Sequence, residues 1–571
     1  MTSSGKHKRR PEPLPDTGAR VGGVGKSGFS RQSGILRFTQ NDSRRPTAGL
    51  AALEPHPALE KSVLLGYLFL IAGLIFLMVG YLTHRLVKMG DFFTSDALLL
   101  PALYKDLIHR GGSLHDWYLM SPPYFFPDYP LYFLTNTLAP SPYWAIAAYF
   151  VVQIVLTFFA LAWLNRLFLD RGKAFLFAGM SLLWLCYLCM KSPFWLSPFK
   201  CLALGTEHYG SFVTGLFVLR LAAMAILWPE TRVQKAYLFL ILIFSALVSL
   251  SDAIFVVQFA APLVIASIYL WAKCVVPLRK ALSVATATVA GMACGLVLYG
   301  RLGLNLPFYA QHIDLSLLSR NALRIESLFL DLWHTHPAWL ALCALGWATI
   351  FCMWAFVDKL DELQRPLSGS AKFLVAFCLA SCGLVLVACL ISSQLVAARY
   401  FMPVFFFPVF FAPYVTLAIK RTRLRTTVIC VCMAGICAAA IRFLASNPQQ
   451  LAFHGDYYPE EIQCMDAAFE KYALENGVAQ YWDARRTVFL AKAPVNIAQV
   501  SSSLENYEWL TSKRTFKNSY DFAIIDLAEP PSSFFRLNEA QIKAINGQPR
   551  DTVLCGEKEI LVYPKNSLRL H

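Results

Sequence analysis

Four separated segments of this chain carry residues able to do proton-transfer or phosphate chemistry. Asp91, Asp96 and Asp128 fall within 90–133, GDFFTSDALLLPALYKDLIHRGGSLHDWYLMSPPYFFPDYPLYF. Glu207 and His208 follow in GTEHYG, Asp252 in SLSDAIF, and Arg399 with Tyr400 in AARYFMP. A carboxylate within hydrogen-bond reach of a hydroxyl can take its proton and make it a nucleophile. An arginine can neutralise a phosphate ester whose charge grows as it leaves. Tyr124, among the aromatics of YLMSPPYFFPDYPLYF, could stack on a sugar, although an interfacial aromatic belt explains such residues equally well.

What must position these residues is a set of membrane helices. The chain has 571 residues, of which 56% are hydrophobic and 15% charged, with a mean hydropathy of +0.48; soluble domains carry roughly 25% charged residues. Taking about 20 apolar residues per crossing, eleven runs qualify: 62–82, 143–165, 174–190, 209–228, 237–250, 253–272, 281–299, 337–357, 373–392, 401–419 and 426–444. The fold expected is an α-helical polytopic membrane protein with about eleven transmembrane helices and a small C-terminal α/β domain.

The formal net charge of +15 would suggest nucleic acid in a soluble chain. Here the cations lie in a basic N-terminal tail and in short loops between apolar runs, which orients helices and argues against nucleic acid. With the N-terminus inside, the inner loops hold Arg166/Arg171/Lys173, Arg232/Lys235, Lys273/Arg279/Lys280, Lys359/Arg365/Lys372 and Lys420/Arg421/Arg423/Arg425. The same alternation puts 85–142, 191–208, Asp252, 300–336, 393–400 and the C-terminal region outside. All the candidate residues then share one face. Ionisable groups at such a face are functional candidates because burying a charge is costly.

Three regions are expected. Residues 1–58, rich in Arg, Gly, Ser and Pro, form a disordered basic tail without a signal-peptide core, so that the first spanning helix directs insertion. Residues 59–445 form the membrane domain with its first outer loop at 85–142. Residues 446–571 form an extracytoplasmic α/β domain. In that domain a helix runs from Glu460 to Tyr472 and stops at Asn476-Gly477. VAQYW, TVFLA, VNIAQV, DFAIIDL and EILVY read as strands, 538–545 as a helix, and YWDARR as a solvated turn. Among 15 cysteines, Cys464 and Cys555 fall in this polar region, where a disulfide is open to them if the domain is exported. Cys186 and Cys189 form a CxxC inside an apolar run and behave as buried hydrophobes.

Around the candidate residues the chain resembles the integral-membrane glycosyltransferases of the C type (GT-C), especially the protein O-mannosyltransferase and aminoarabinose-transferase branch. The likeness rests on Ser95-Asp96 just after the first span and on the juxtamembrane helix ALLLPALYKDLIHRGG. It continues in the aromatic-proline segment YLMSPPYFFPDYPLYF, the acid of the second outer loop, and the RY-x-x-P entry to a late helix (Arg399, Tyr400, Pro403), and it covers roughly residues 62–420. It implies transfer of a sugar, with inversion, from a polyprenyl-phosphate carrier to a lipid, glycan or protein acceptor at the outer face of a bacterial-type inner membrane. Asp96 is then the general base, and Arg399 with Tyr400 binds the donor phosphate. Asp128, Tyr124, Glu207, His208 and Asp252 become substrate-binding candidates. One departure stands out: where aminoarabinose transferases place Lys-Pro, this chain has Pro127-Asp128, so the phosphate contact must come from elsewhere or through a divalent cation.

Plainer roles compete at each position. Asp96 and Asp252 are placed to cap helices, Asp91 to be a solvated acid, Asp128 to shape a turn, Glu207/His208 to begin a helix, and Arg399 to snorkel toward lipid phosphates. A multi-pass transporter or lipid flippase, or a non-catalytic protein presenting its C-terminal domain, would use the same face differently.

Overall fold

The computed structural model describes residues 57–86, 89–119, 122–191, 198–204, 207–228, 232–304, 313–335, 337–360, 365–393, 396–446 and 452–570. Almost all of the expected basic tail lies outside these residues; the first helix begins at Pro57, just inside it.

All eleven apolar runs are helical. In chain order the helices of the membrane region are α1 (Pro57–Leu82), α2 (Leu99–Tyr104), α3 (Asp128–Leu138), α4 (Pro142–Asn165), α5 (Arg171–Lys191), α6 (Tyr209–Leu227) and α7 (Arg232–Ser251). They continue with α8 (Ala261–Ala272), α9 (Leu278–Arg301), α10 (Leu318–Thr335), α11 (Pro337–Leu360), α12 (Arg365–Ile391), α13 (Met402–Phe411) and α14 (Thr422–Ala445). Among the described residues nine helices are long and apolar enough to cross a membrane, and a tenth crossing is formed if Leu315–His334 and Trp339–Ala355, bent by 114°, count as one. The Val256–Ala272 segment is apolar but shorter. The run expected at 401–419 is a composite: α13 contains Pro408 and passes into a 3-10 helix over Ala412–Ala418. A proline removes a helical donor and crowds the preceding turn.

Helices α5 and α6 form the middle of the bundle, buried nearly all round, whereas α7, α9 and α14 leave most of their surface to the surroundings. Helices α1 and α5 cross at close range. A Cβ at Gly66 would lie 2.4 Å from the Phe175 carbonyl oxygen, and one at Gly179 would lie 2.3 Å from that of Gly66. The two backbones touch because neither position has a side chain.

Contacts sort the loops to two ends of the bundle. At one end Arg85 donates to the Leu444 carbonyl, His454 N–H to Leu82 O at 2.7 Å, and Tyr124 N–H to Ser251 O at 3.2 Å. Asn321 donates there to Leu390 O and Ser392 O at 3.1 and 2.9 Å. The first loop, the end of the last helix and the C-terminal domain therefore share a side. The basic loops occupy the other end, where Tyr414 donates to Asn165 at 2.8 Å.

The C-terminal domain contains α15 (Glu460–Tyr472), α16 (Tyr481–Leu490) and α17 (Glu539–Asn546). Numbering the strands along the chain, β1 (Trp117–Tyr118) belongs to the first loop, followed by β2 (Asn476–Ala479), β3 (Asn496–Gln499), β4 (Thr511–Ser512), β5 (Phe522–Asp526), β6 (Asp551–Cys555) and β7 (Lys558–Val562). The main sheet has the order β3-β2-β5-β7-β6, with β2 parallel to β3 and β5 and the remaining pairs antiparallel. Cys464 and Cys555 are joined, S–S 2.01 Å, tying α15 to β6.

Four expectations fail here. TVFLA lies on α16 rather than on a strand, VAQYW is strand only over Val478-Ala479 while its Tyr481 and Trp482 open α16, and Asn476-Gly477 opens β2 rather than ending a helix, α15 instead stopping on Ala473 in a left-handed conformation. YWDARR is no solvated turn: Asp483 and Arg485 are buried, and buried Lys558 bridges Asp483 and Asp526 at 2.8 and 2.6 Å. A buried charge persists when such partners surround it, and a pattern read along one segment does not reveal partners seventy residues away.

Gly179→Val forces α1 and α5 apart and is expected to cut the yield of folded, detergent-stable protein several-fold. Gly383→Val, where an added Cβ meets nothing within 4 Å, is expected to match wild type. Fluorescence-detected size-exclusion chromatography measures both.

Candidate functional site

Five segments converge at the end of the bundle that carries the C-terminal domain. Glu207, just before α6, is buried and paired with two cations, Arg399 Nη1 at 3.2 Å and Lys200 Nζ at 3.7 Å. Burial alone would raise its carboxyl, yet Arg399 and then Lys200 hold it below its ordinary value. Arg399 also sits over the Tyr400 ring, 5.6 Å from the centroid, and its Nε–H has no hydrogen-bond partner among the described residues. A side chain that merely snorkels would point to lipid; this one turns toward an acid.

Asp96 stands beside this cluster. Its Oδ1 accepts the Tyr481 hydroxyl of α16. Burial raises its carboxyl above the ordinary value, against the pull of Arg399 and of the Tyr481 hydrogen bond. The helix-capping reading does not hold: the cap residue of α2 is Leu98, with no side-chain cap bond. Next to it Ser95 Oγ donates to Tyr481 O at 2.6 Å, and buried Arg485 donates to Ser95 O. The C-terminal domain thus holds Asp96 from behind. β1 extends the same seam by pairing antiparallel with β4, Trp117 opposite Ser512.

A second cluster lies deeper. His208 Nδ1 is 2.8 Å from Asp252 Oδ2, and both are buried. Asp252 Oδ1 also accepts the Ile254 N–H at 3.1 Å, so capping and side-chain pairing coexist on one carboxylate. The His208 ring faces Tyr124 and Tyr400 edge-on at 5.6 and 5.5 Å. His208 and Tyr124 both adopt left-handed backbones, φ +65° and +58°, a conformation costing of order 1–3 kcal/mol for such residues. Tyr124 is anchored by Ser251, whose side chain also accepts the Phe126 N–H at 2.6 Å.

Asp128 begins α3 after a cis Phe126–Pro127 bond. It is buried and accepts the Tyr149 hydroxyl. A Cβ at Gly210 would stand 2.6 Å from its Oδ1, so only glycine leaves room for the carboxyl. Burial lifts Asp128 from an ordinary 3.8 to about 8, the Tyr149 hydrogen bond opposing and the Asp252 charge adding.

Immediately beside Asp128 opens an apolar cavity of about 440 Å³ between α3, α4, α6 and α7, walled by Pro127, Leu131, Trp163, Gly210, Phe217 and Phe244. From Gly210 to Leu221, both on α6, it follows the helix for about 16 Å at 1.5 Å per residue. Among the described residues no three of His, Cys, Asp and Glu gather in a way that would hold a metal ion.

All eight candidates of the sequence, Asp96, Tyr124, Asp128, Glu207, His208, Asp252, Arg399 and Tyr400, lie in this one region. Four residues escaped it. Lys200 carried a legible signal, as a cation on a loop assigned to the cation-poor face. Tyr149 lies inside an apolar run and gave none. Tyr481 and Arg485 were hidden in the segment read as a turn.

No family model matches the chain, and no curated protein matches it. Among solved structures it is similar to the Archaeoglobus fulgidus oligosaccharyltransferase in the apo form, at 13% identity over 81% of this chain and 69% of that one, TM-score 0.43. It is similar also to ArnT from Cupriavidus metallidurans bound to undecaprenyl phosphate, at 11% identity over 87% of this chain and 99% of that one, TM-score 0.46. What the site can do is taken from its own residues.

With its carboxyl lifted to about 8, folded Asp128 keeps a proton that the unfolded chain has lost between about pH 4 and 8. Its contribution to stability therefore falls as pH rises through that window. The melting temperature of wild type is expected to drop from pH 5 to pH 8 more steeply than that of Asp128→Asn, as followed by differential scanning fluorimetry in detergent; parallel curves would contradict the assignment.

Proposed function

We propose that the chain is a GT-C-like membrane glycosyltransferase that moves a sugar, with inversion, from a polyprenyl-phosphate carrier to an acceptor at the outer face of a bacterial-type inner membrane. The N-terminus is then cytoplasmic and the C-terminal domain extracytoplasmic. The observation that carries the reading is the meeting of a raised carboxyl, Asp96, with the Arg399–Glu207–Lys200 cluster in the same region as an apolar groove suited to an isoprenoid tail.

In this mechanism Asp96 takes the acceptor hydroxyl proton as the new bond forms at the anomeric carbon. The bond from that carbon to the phosphate oxygen breaks, and the carrier phosphate leaves with the electron pair. A carboxylate whose proton affinity is raised by burial is the better base. Arg399, with Tyr400 beside it, and Lys200 meet the growing phosphate charge in a partly dehydrated site, where such contacts count most. Lys200 thereby supplies the cation that Pro127-Asp128 lacks. Glu207 orients both cations. Asp128, Tyr124, His208 and Asp252 line the sugar side, where hydroxyls find paired donors and acceptors. ArnT, whose structure holds undecaprenyl phosphate, and oligosaccharyltransferase suggest the same class of donor and reaction. A divalent cation is not required by this scheme.

A transporter would need ionisable groups midway along the spans and access from both sides. No Asp or Glu lies midway along the nine apolar spanning helices described, and buried Arg220 on α6, stacked between Trp163 and Trp228, has no acid beside it in those spans.

In cells lacking the gene, mass spectrometry is expected to find a polyprenyl-phosphate-linked sugar accumulating and one glycan losing that sugar. Wild type restores both. Asp96→Asn, inserted at wild-type level, is expected to restore neither and to lower transfer by about 10²–10⁴; full restoration would refute the base assignment.

A further inference from the structure

A second cavity, of about 420 Å³, lies in the seam between the first loop and the C-terminal domain, with Arg485 in its wall. Its charged lining comes from both sides: Lys105, Asp106 and Arg110 from the juxtamembrane segment, and Arg485, Arg514 and Lys517 from the domain. Five cations thus face one acid. That acid is already engaged, since Asp106 Oδ2 accepts the Trp117 indole N–H at 2.7 Å and Oδ1 lies 3.6 Å from Arg514. Arg514 donates in addition to Arg110 O at 3.3 Å, which brings two cationic residues together across the seam. Arg485 is buried, with one guanidinium nitrogen spent on Ser95 O and its plane 5.8 Å from the Trp117 ring centroid.

Cations gathered this way repel one another. Lys105 shows it: its ammonium is held below its ordinary value by burial first and by Arg110 second. A simple docking seam would be expected to pair such charges, as Lys558 is paired within the domain. The excess is met most simply by an anion from outside. The cavity is within the range of small-molecule sites, about 300–1,000 Å³, so it admits a single sugar-sized unit. Its polar walls also include Asn496 and Gln499, whose amide nitrogens are held by the carbonyls of Thr515 and Tyr507.

We propose that this cavity binds an anionic, sugar-sized group, a phosphate- or carboxylate-bearing glycan unit, and that it is the acceptor's anchor. The anchoring role rests on the transferase reading; the binding does not. Through Arg485 and Ser95 an occupied cavity would abut the segment that carries Asp96, so the acceptor would be gripped next to where its hydroxyl is activated.

The test measures binding of glucose 6-phosphate, glucose and inorganic phosphate to the full-length protein in detergent by calorimetry, with no sugar donor present, so that failure of transfer cannot imitate failure of binding. Saturable binding of glucose 6-phosphate is expected, at least tenfold tighter than phosphate and with glucose undetected. Arg514→Ala and Lys517→Glu should each weaken it about tenfold, whereas Lys492→Ala, outside the cavity, should leave it unchanged. Because Arg514 also meets Asp106, Lys517→Glu is the variant that keeps the test independent of the seam's folding. No saturable binding, equal binding of phosphate and glucose 6-phosphate, or indifference to Lys517→Glu would each overturn the proposal.

Discussion

Glu207 is a carboxylate taken out of water at the rim of a helical bundle, and the rest of the site follows from satisfying it. A buried charge of this kind survives only with partners at hand. The partners are Arg399 and Lys200, which come from loops almost two hundred residues apart. Bringing them together fixes how the entry to α13 stands against the entry to α6. Once these entries are set, Tyr400 stands against His208, His208 against Asp252, and Asp252 at the turn into α8. Arg399 remains able to serve a further anion, because a single carboxylate does not exhaust its five N–H donors and its Nε–H has no hydrogen-bond partner among the described residues.

The C-terminal domain belongs to the site rather than merely sitting above it. Its first helix after β2 sends Tyr481 to Asp96 and Arg485 to the carbonyl of Ser95, while β4 lends two residues of strand to the first loop. Around Asp96 the loop is built from short elements, a 3-10 turn over Met89–Phe93, α2 and a π-helical turn over Lys105–His109. The domain supplies the surface against which this loop holds the Asp96 carboxyl. In the transferase proposed above, fixed placement of this kind would lower the barrier by preorganising the charges.

Much of this was legible in the sequence, and the physical reason is that burial and periodicity are local signals. The helical runs and the alternation of basic loops announce themselves over twenty residues, and acids at helix ends are conspicuous against apolar surroundings. The disulfide between Cys464 and Cys555 was open from composition alone. What stayed hidden were pairings. Asp483 and Arg485 look solvated in YWDARR because their partners, Lys558 and Ser95, lie 75 and 390 residues away. TVFLA has the β-branched, apolar look of a strand, but Tyr481 and Arg485 just before it dock on the adjacent residues Asp96 and Ser95, and a helix brings residues four apart to about 6 Å along its axis where a strand would separate them by about 13 Å. Pro408 and Pro413 likewise break a run whose apolarity suggests one straight span.

The most direct trial of the account is an experimental structure of the protein in lipid nanodiscs with a polyprenyl phosphate bound. The account predicts the phosphate within hydrogen-bond distance of Arg399 and Lys200, and the first isoprene units in the cavity between α3, α4, α6 and α7. A phosphate lodged at the basic end of the bundle, or a chain lying outside that cavity, would contradict it.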